Sequence, residues 1–132
     1  MSLDTARHII IIGGPETGKT TLSEKLSREL NISTVRHTDD LIDLGWSQAS
    51  EKASWWLDSK DSWIVEGAAA VRALRKYLAR NAGAPCDFEL IYLDRPYTPL
   101  SKGQETMRKG VATVWNEIKR EFTIRGGSLI TA

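Results

Sequence analysis

The sequence predicts an α/β fold: a parallel sheet with helices on both faces, a three-layer α/β/α sandwich in one domain. Three observations predict it. Short apolar runs alternate with amphipathic helical stretches along the whole chain. A glycine-rich turn, Gly13-Gly14-Pro15-Glu16-Thr17-Gly18-Lys19-Thr20, joins the first run to the first helix. Charged residues and glycine collect where later runs end, at Asp39 and Asp40, Glu66 and Gly67, and Asp94 and Arg95. Parallel sheets bind ligands beyond such carboxyl ends.

The elements follow in order. His8, Ile9, Ile10, Ile11 and Ile12 read as a buried strand, short and continuous in its apolar character. A helix over 20–30 carries Leu22, Leu26 and Leu30 on one stripe and ends at Asn31, which tolerates a left-handed cap. A polar strand over 33–37 leads to Thr38, Asp39 and Asp40, with a bend at Gly45. A helix over 47–59 is expected to start at Ser47 as N-cap, with Trp46, Trp55 and Trp56 used in packing and a ring stacked on a substrate as the alternative. A third strand, Trp63-Ile64-Val65, ends at Glu66 and Gly67, and a helix over 70–81 follows. A fourth strand over 88–93 precedes a loop broken by Pro99 and Gly103. The last helix, over 104–122, has Met107, Val111, Val114, Ile118 and Phe122 in register. A short fifth strand over 128–131 closes the series.

Composition narrows the function classes. With 132 residues, 41% hydrophobic and 27% charged, the chain reads as one globular domain. A formal net charge of +1 implies no polyanionic partner by itself. The stretch 102–125 is nevertheless basic, and it lends weak support to nucleic acid as a partner. The lone Cys86 excludes an internal disulfide and reads as a packed thiol. No apolar run approaches membrane-spanning length, so a cytoplasmic setting without membrane attachment is the expectation. Nothing in the sequence specifies an oligomeric state.

The loop carries the most specific chemistry. Successive backbone N–H groups can wrap a polyphosphate only where side chains do not interfere, hence Gly13 and Gly18. The following helix N-terminus adds free donors and partial positive charge. Nucleotide binding is therefore expected at Gly13, Gly14, Pro15, Glu16, Thr17, Gly18, Lys19, Thr20 and Thr21. Lys19 is expected to reach the β- and γ-phosphates, and the Thr20 hydroxyl to ligate Mg²⁺. Of the strand-end carboxylates, Asp39 and Asp40 are expected at the substrate, with Asp39 facing the phosphate acceptor and capping of the next helix as the other role for Asp40. A simple capping role for both stays open. Glu66 is expected on the metal side or at the acceptor, with a sheet-edge ion pair as the alternative. Gly67 would let backbone approach a substrate. Arg72, Arg95, Lys102, Arg108 and Lys109 are the cations available to close over phosphates, with Arg95 and Arg108 favoured and a short lid over 95–110. His37 reads as a polar strand residue, with orientation of an acceptor as the alternative.

GGPETGKTTLSEKLSREL, HTDDLIDLGW, SWIVEGAAAVR and FELIYLDRP together resemble a small P-loop kinase of the adenylate kinase and shikimate kinase type. The likeness is greatest to the short topology modulation-type proteins. His37 to Asp40 match that family's His-x-Asp-Asp stretch. Glu66-Gly67 stands where the family has Asp-Gly, with Arg72 as the arginine that follows. The resemblance implies a P-loop NTPase fold with five parallel strands in order 2-3-1-4-5. It implies ATP and Mg²⁺ as cofactors, and a small-molecule acceptor between the ends of strands two and three. Arg95 and Arg108 would be the lid arginines. The expected activity is transfer of the γ-phosphoryl of ATP to a hydroxyl or phosphate, on a nucleotide, nucleoside or other small molecule. Two alternatives stay open: a nucleotide-binding module without transfer, and an ATP hydrolase acting on nucleic acid or protein.

Overall fold

A computed structural model describes residues 6–131. The strands are β1 (His8–Gly13), β2 (Val35–His37), β3 (Trp63–Glu66), β4 (Glu89–Leu93) and β5 (Ser128–Thr131). The helices are α1 (Lys19–Leu30), α2 (Trp46–Trp56), α3 (Ala70–Arg80) and α4 (Lys102–Ile124), with a 3₁₀ segment at Thr38–Leu44. All strand pairs are parallel and the order is β2-β3-β1-β4-β5, as expected. β1 lies at the centre because its four isoleucines bury side chains on both faces. Ile10 and Ile12 join the core under α2, α3 and α4, and Ile9 and Ile11 the core under α1.

Leu22, Leu26 and Leu30 pack on this second core, and Asn31 ends α1 in the left-handed conformation at φ 55°. α3 buries Val71, Leu74 and Leu78 against the first core. At the far end of the sheet, His8 is buried and stacks on Trp63 with ring centroids 5.0 Å apart. Cys86 is a buried thiol whose burial raises its pKa, which fits packing rather than reactivity.

Several boundaries differ from expectation, most of all those of α2 and α4. α2 starts at Trp46 with Gly45 as its N-cap, not at Ser47, and it ends three residues early. Its end is set from outside, where the Arg80 guanidinium donates to the Ser54 carbonyl at 3.1 Å and to the Ser54 hydroxyl at 3.0 Å. Trp46 and Trp55 are exposed and do not pack in the core. Each lies beneath an arginine, Arg72 over Trp46 at 5.2 Å and Arg80 over Trp55 at 3.7 Å. α4 starts at Lys102 with Gly103 inside it. A capping box between Ser101 and Gln104 satisfies two free donors and outweighs the glycine. The expected lid is therefore a loop only as far as Ser101.

Candidate active site

Parallel register assembles the site. Glu66 ends β3 beside Ile11 of β1 and His37 of β2, so these three residues stand at one level across three strands. Glu66 is 1% exposed and sits inside the sheet, not in an edge ion pair. One carboxylate oxygen, Oε2, accepts the Thr20 hydroxyl at 3.1 Å and pairs with His37 Nδ1. The other, Oε1, is buried and has no hydrogen-bond partner. An orphaned buried carboxylate oxygen is costly and asks for a ligand.

Beside it the glycine-rich turn curves round the N-terminus of α1. Gly13 has φ 158°, and a Cβ there would lie 2.4 Å from the Leu93 carbonyl oxygen of β4. Gly18 is the N-cap of α1 at φ 86° and offers no side chain to the first-turn N–H groups, which stay available to an anion. Residues 15–21 line a cavity of about 280 Å³ together with Asp39, Glu66 and Tyr97. Lys19 is buried there, its Nζ donating to the Gly14 carbonyl at 2.5 Å. Burial pushes the Lys19 ammonium below its ordinary pKa, and Glu66, Asp39 and Glu16 pull it part of the way back.

This shift has a testable sign. A lysine is charged below its pKa, so lowering that pKa brings loss of charge to a lower pH. Nucleotide affinity carried by Lys19 is expected to start falling below the ordinary lysine value of about 10.4. Lys19→Arg keeps its charge and is expected to remove that alkaline limb. Fluorescence titrations from about pH 7 to about pH 10 check it, and superimposable profiles would refute it.

Several expected residues do not reach this cavity. Asp40 does not line it, and neither it nor Asp39 caps a helix, since the 3₁₀ segment has His37 at its cap and no side-chain cap bond. Gly67 meets protein, not open space: the Thr38 side chain fills the position of its missing Cβ. Arg72 is half-buried over Trp46, and no carboxylate pairs with it among the described residues. Burial lowers its pKa. Arg95 is exposed just beyond β4. Arg108 lies in the second turn of α4, not on a lid. It donates to Glu105 at 3.0 Å and to the Asp94 carbonyl at 3.3 Å, and its Cα lies 3.0 Å from where a Gly14 Cβ would stand.

Sequence reasoning undervalued His37 and missed Tyr97. His37 orients Glu66, and the only sequence signal for that was its place at a strand end two residues before Asp39. Tyr97 is 69% exposed at the cavity wall, its N–H donating to the Glu16 carbonyl at 2.9 Å. No local pattern marks a residue brought over a loop by tertiary contact.

The donor set fits magnesium. The Thr20 hydroxyl and the free Glu66 oxygen are hard oxygen donors, and both residues line the cavity at the glycine-rich turn. Among the described residues no three His, Cys, Asp or Glu side chains group as a metal site, so further ligands would come from phosphate and water.

Solved structures share this fold. A shikimate kinase from Acinetobacter baumannii, in complex with shikimate, superposes with a TM-score of 0.59 at 16% identity, over 97% of this chain and 84% of its own. A gluconokinase from Sinorhizobium meliloti 1021 gives a TM-score of 0.57 at 12% identity, over 98% and 84%. The chain has the fold of the P-loop kinases. No family model and no curated protein matches it in sequence. As a P-loop kinase fold it carries its glycine-rich turn after the central strand, with β3 and β4 on either side. No helix among the described residues is long and apolar enough to cross a membrane.

Proposed function

We propose that the protein is a phosphotransferase that moves the γ-phosphoryl of ATP to a hydroxyl or phosphate of a small molecule. The observation that carries this reading is the buried Glu66 carboxylate, bonded to Thr20 through one oxygen and unpartnered at the other, beside a phosphate-sized cradle. Pure storage of a nucleotide has no need of so costly a group. In this reading the loop and the α1 N-terminus hold the β- and γ-phosphates, and Lys19 leaves the Gly14 carbonyl to join them. Thr20 and Glu66 hold Mg²⁺, whose contribution when bound is neutralisation of phosphate charge. Asp39, exposed at the cavity wall, accepts the proton of an acceptor hydroxyl. Arg72 is a free cation for an anionic group on the acceptor, with Trp46 setting its orientation. The kinase neighbours support small-molecule phosphotransfer as a class.

A screen of hydroxyl and phosphate acceptors with γ-labelled ATP tests the reading, with nucleosides, nucleotides and sugar acids among them. Asp39→Asn is expected to retain nucleotide binding and to lower transfer by about a hundredfold or more. Transfer at the parent rate would remove Asp39 from the acceptor side.

A second reading, a nucleotide-dependent binding module, is favoured by one observation. None of Arg72, Arg95 and Arg108 lines the phosphate cavity, whereas transfer draws on cations over the migrating phosphoryl. Tight ATP binding with no labelled acceptor, nucleic acid included, would select it.

A further inference from the structure

The cavity carries an unusual balance of charge for a phosphate site. Glu16, Asp39 and Glu66 line it against the single ammonium of Lys19. The backbone N–H groups and the α1 N-terminus add only partial charge, about half a unit. Metal-free ATP would bring roughly four more negative charges into this field.

Glu16 stands out among the three. It has φ 60°, in the left-handed region that favours glycine. Asn31 is the other non-glycine residue at positive φ among the described residues, and it caps a helix, where asparagine is favoured. Glutamate has no such conformational preference. Its main chain is pinned, since its carbonyl accepts the Tyr97 N–H at 2.9 Å. Its side chain is exposed at the cavity mouth, and its charge is felt at Lys19. A carboxylate is thus held at the entrance of a polyphosphate site, at a position that glycine would occupy with less strain. Glu66 also lines the cavity, and its Oε1 has no partner within the protein.

Building on the nucleotide reading above, we propose that Glu16 makes a divalent cation a condition of nucleotide binding itself. The loop takes the metal–nucleotide complex, whose charge is halved and which has a second anchor at Glu66, and turns away the metal-free polyphosphate. Glu16 is in this sense a specificity residue for the charge state of the ligand.

Calorimetric titration with a non-hydrolysable ATP analogue tests this, in magnesium chloride and in EDTA, for the parent and Glu16→Gln. The parent is expected to lose about a hundredfold or more in affinity in EDTA. Glu16→Gln, which keeps the size and the backbone strain but not the charge, is expected to regain about tenfold in EDTA. Its gain in magnesium chloride is smaller, and the EDTA gain shrinks as salt is raised. Equal affinity of the parent in the two media would overturn the proposal, as would the same EDTA loss in both proteins. Failure to bind the analogue even with magnesium would overturn the nucleotide reading, and this inference with it.

Discussion

Glu66→Gln is expected to lower phosphotransfer by about a hundredfold and to raise the magnesium concentration needed for half-maximal rate. The fold is expected to stay within about 1 kcal/mol of the parent, or to gain stability. The two effects separate because they have different origins. In the proposed reading the rate depends on a carboxylate oxygen that binds nothing among the described residues. Stability already bears the cost of that oxygen, as Glu66 is 1% exposed and only its other oxygen is hydrogen-bonded, to Thr20 and His37. Glutamine keeps the shape and an oxygen for Thr20 but removes the charge. Turnover against magnesium concentration and urea unfolding together test it. A parent-like rate at limiting magnesium would take Glu66 off the metal side. A loss of several kcal/mol would instead make its role structural.

Gly67→Ala is expected to destabilise the protein by about 3 kcal/mol or more. Two costs add at this residue. Its φ of 139° is one that L side chains rarely adopt, and a Cβ there would lie 1.9 Å from Thr38 Oγ1 and 3.0 Å from Thr38 Cβ. Thr38 cannot simply turn away, because it is fully buried and its hydroxyl accepts the Ala69 N–H at 3.3 Å. Adding Thr38→Ala removes the 1.9 Å overlap with Oγ1 but leaves the 3.0 Å approach to Cβ and the backbone strain, so the double variant should recover only part of the loss. Urea unfolding of both single variants and the double variant measures the coupling. Additive losses would mean that the side chain of Thr38 is not what excludes a Cβ at Gly67.

The same residue shows where sequence reading stops. A glycine after a strand-end carboxylate reads as room for substrate, yet here the neighbour is Thr38, brought across from the end of β2 by parallel pairing of β2 with β3. Arg108 was legible as a cation near the loop. Its commitment to Glu105 and to the Asp94 carbonyl depends on α4 starting at Lys102 and passing over Gly14. The capping box at Ser101 and Gln104 was readable in principle, but Gly103 between them hid it.

What needed no structure was whatever repeats or sits close along the chain. Short apolar runs, period-four apolar stripes and the turn residues between them located the strands and helices, and the spacing of Gly13, Gly18, Lys19 and Thr20 located the glycine-rich turn between β1 and α1, because both are local geometry. The linkage of Glu66 to Thr20 and His37, the bare Oε1, and Tyr97 over the loop were decided by folding alone. Register between strands and the burial that leaves an oxygen without a partner belong to residues far apart in the chain. No local pattern encodes them, since burial is a property of the assembled sheet and not of any one segment.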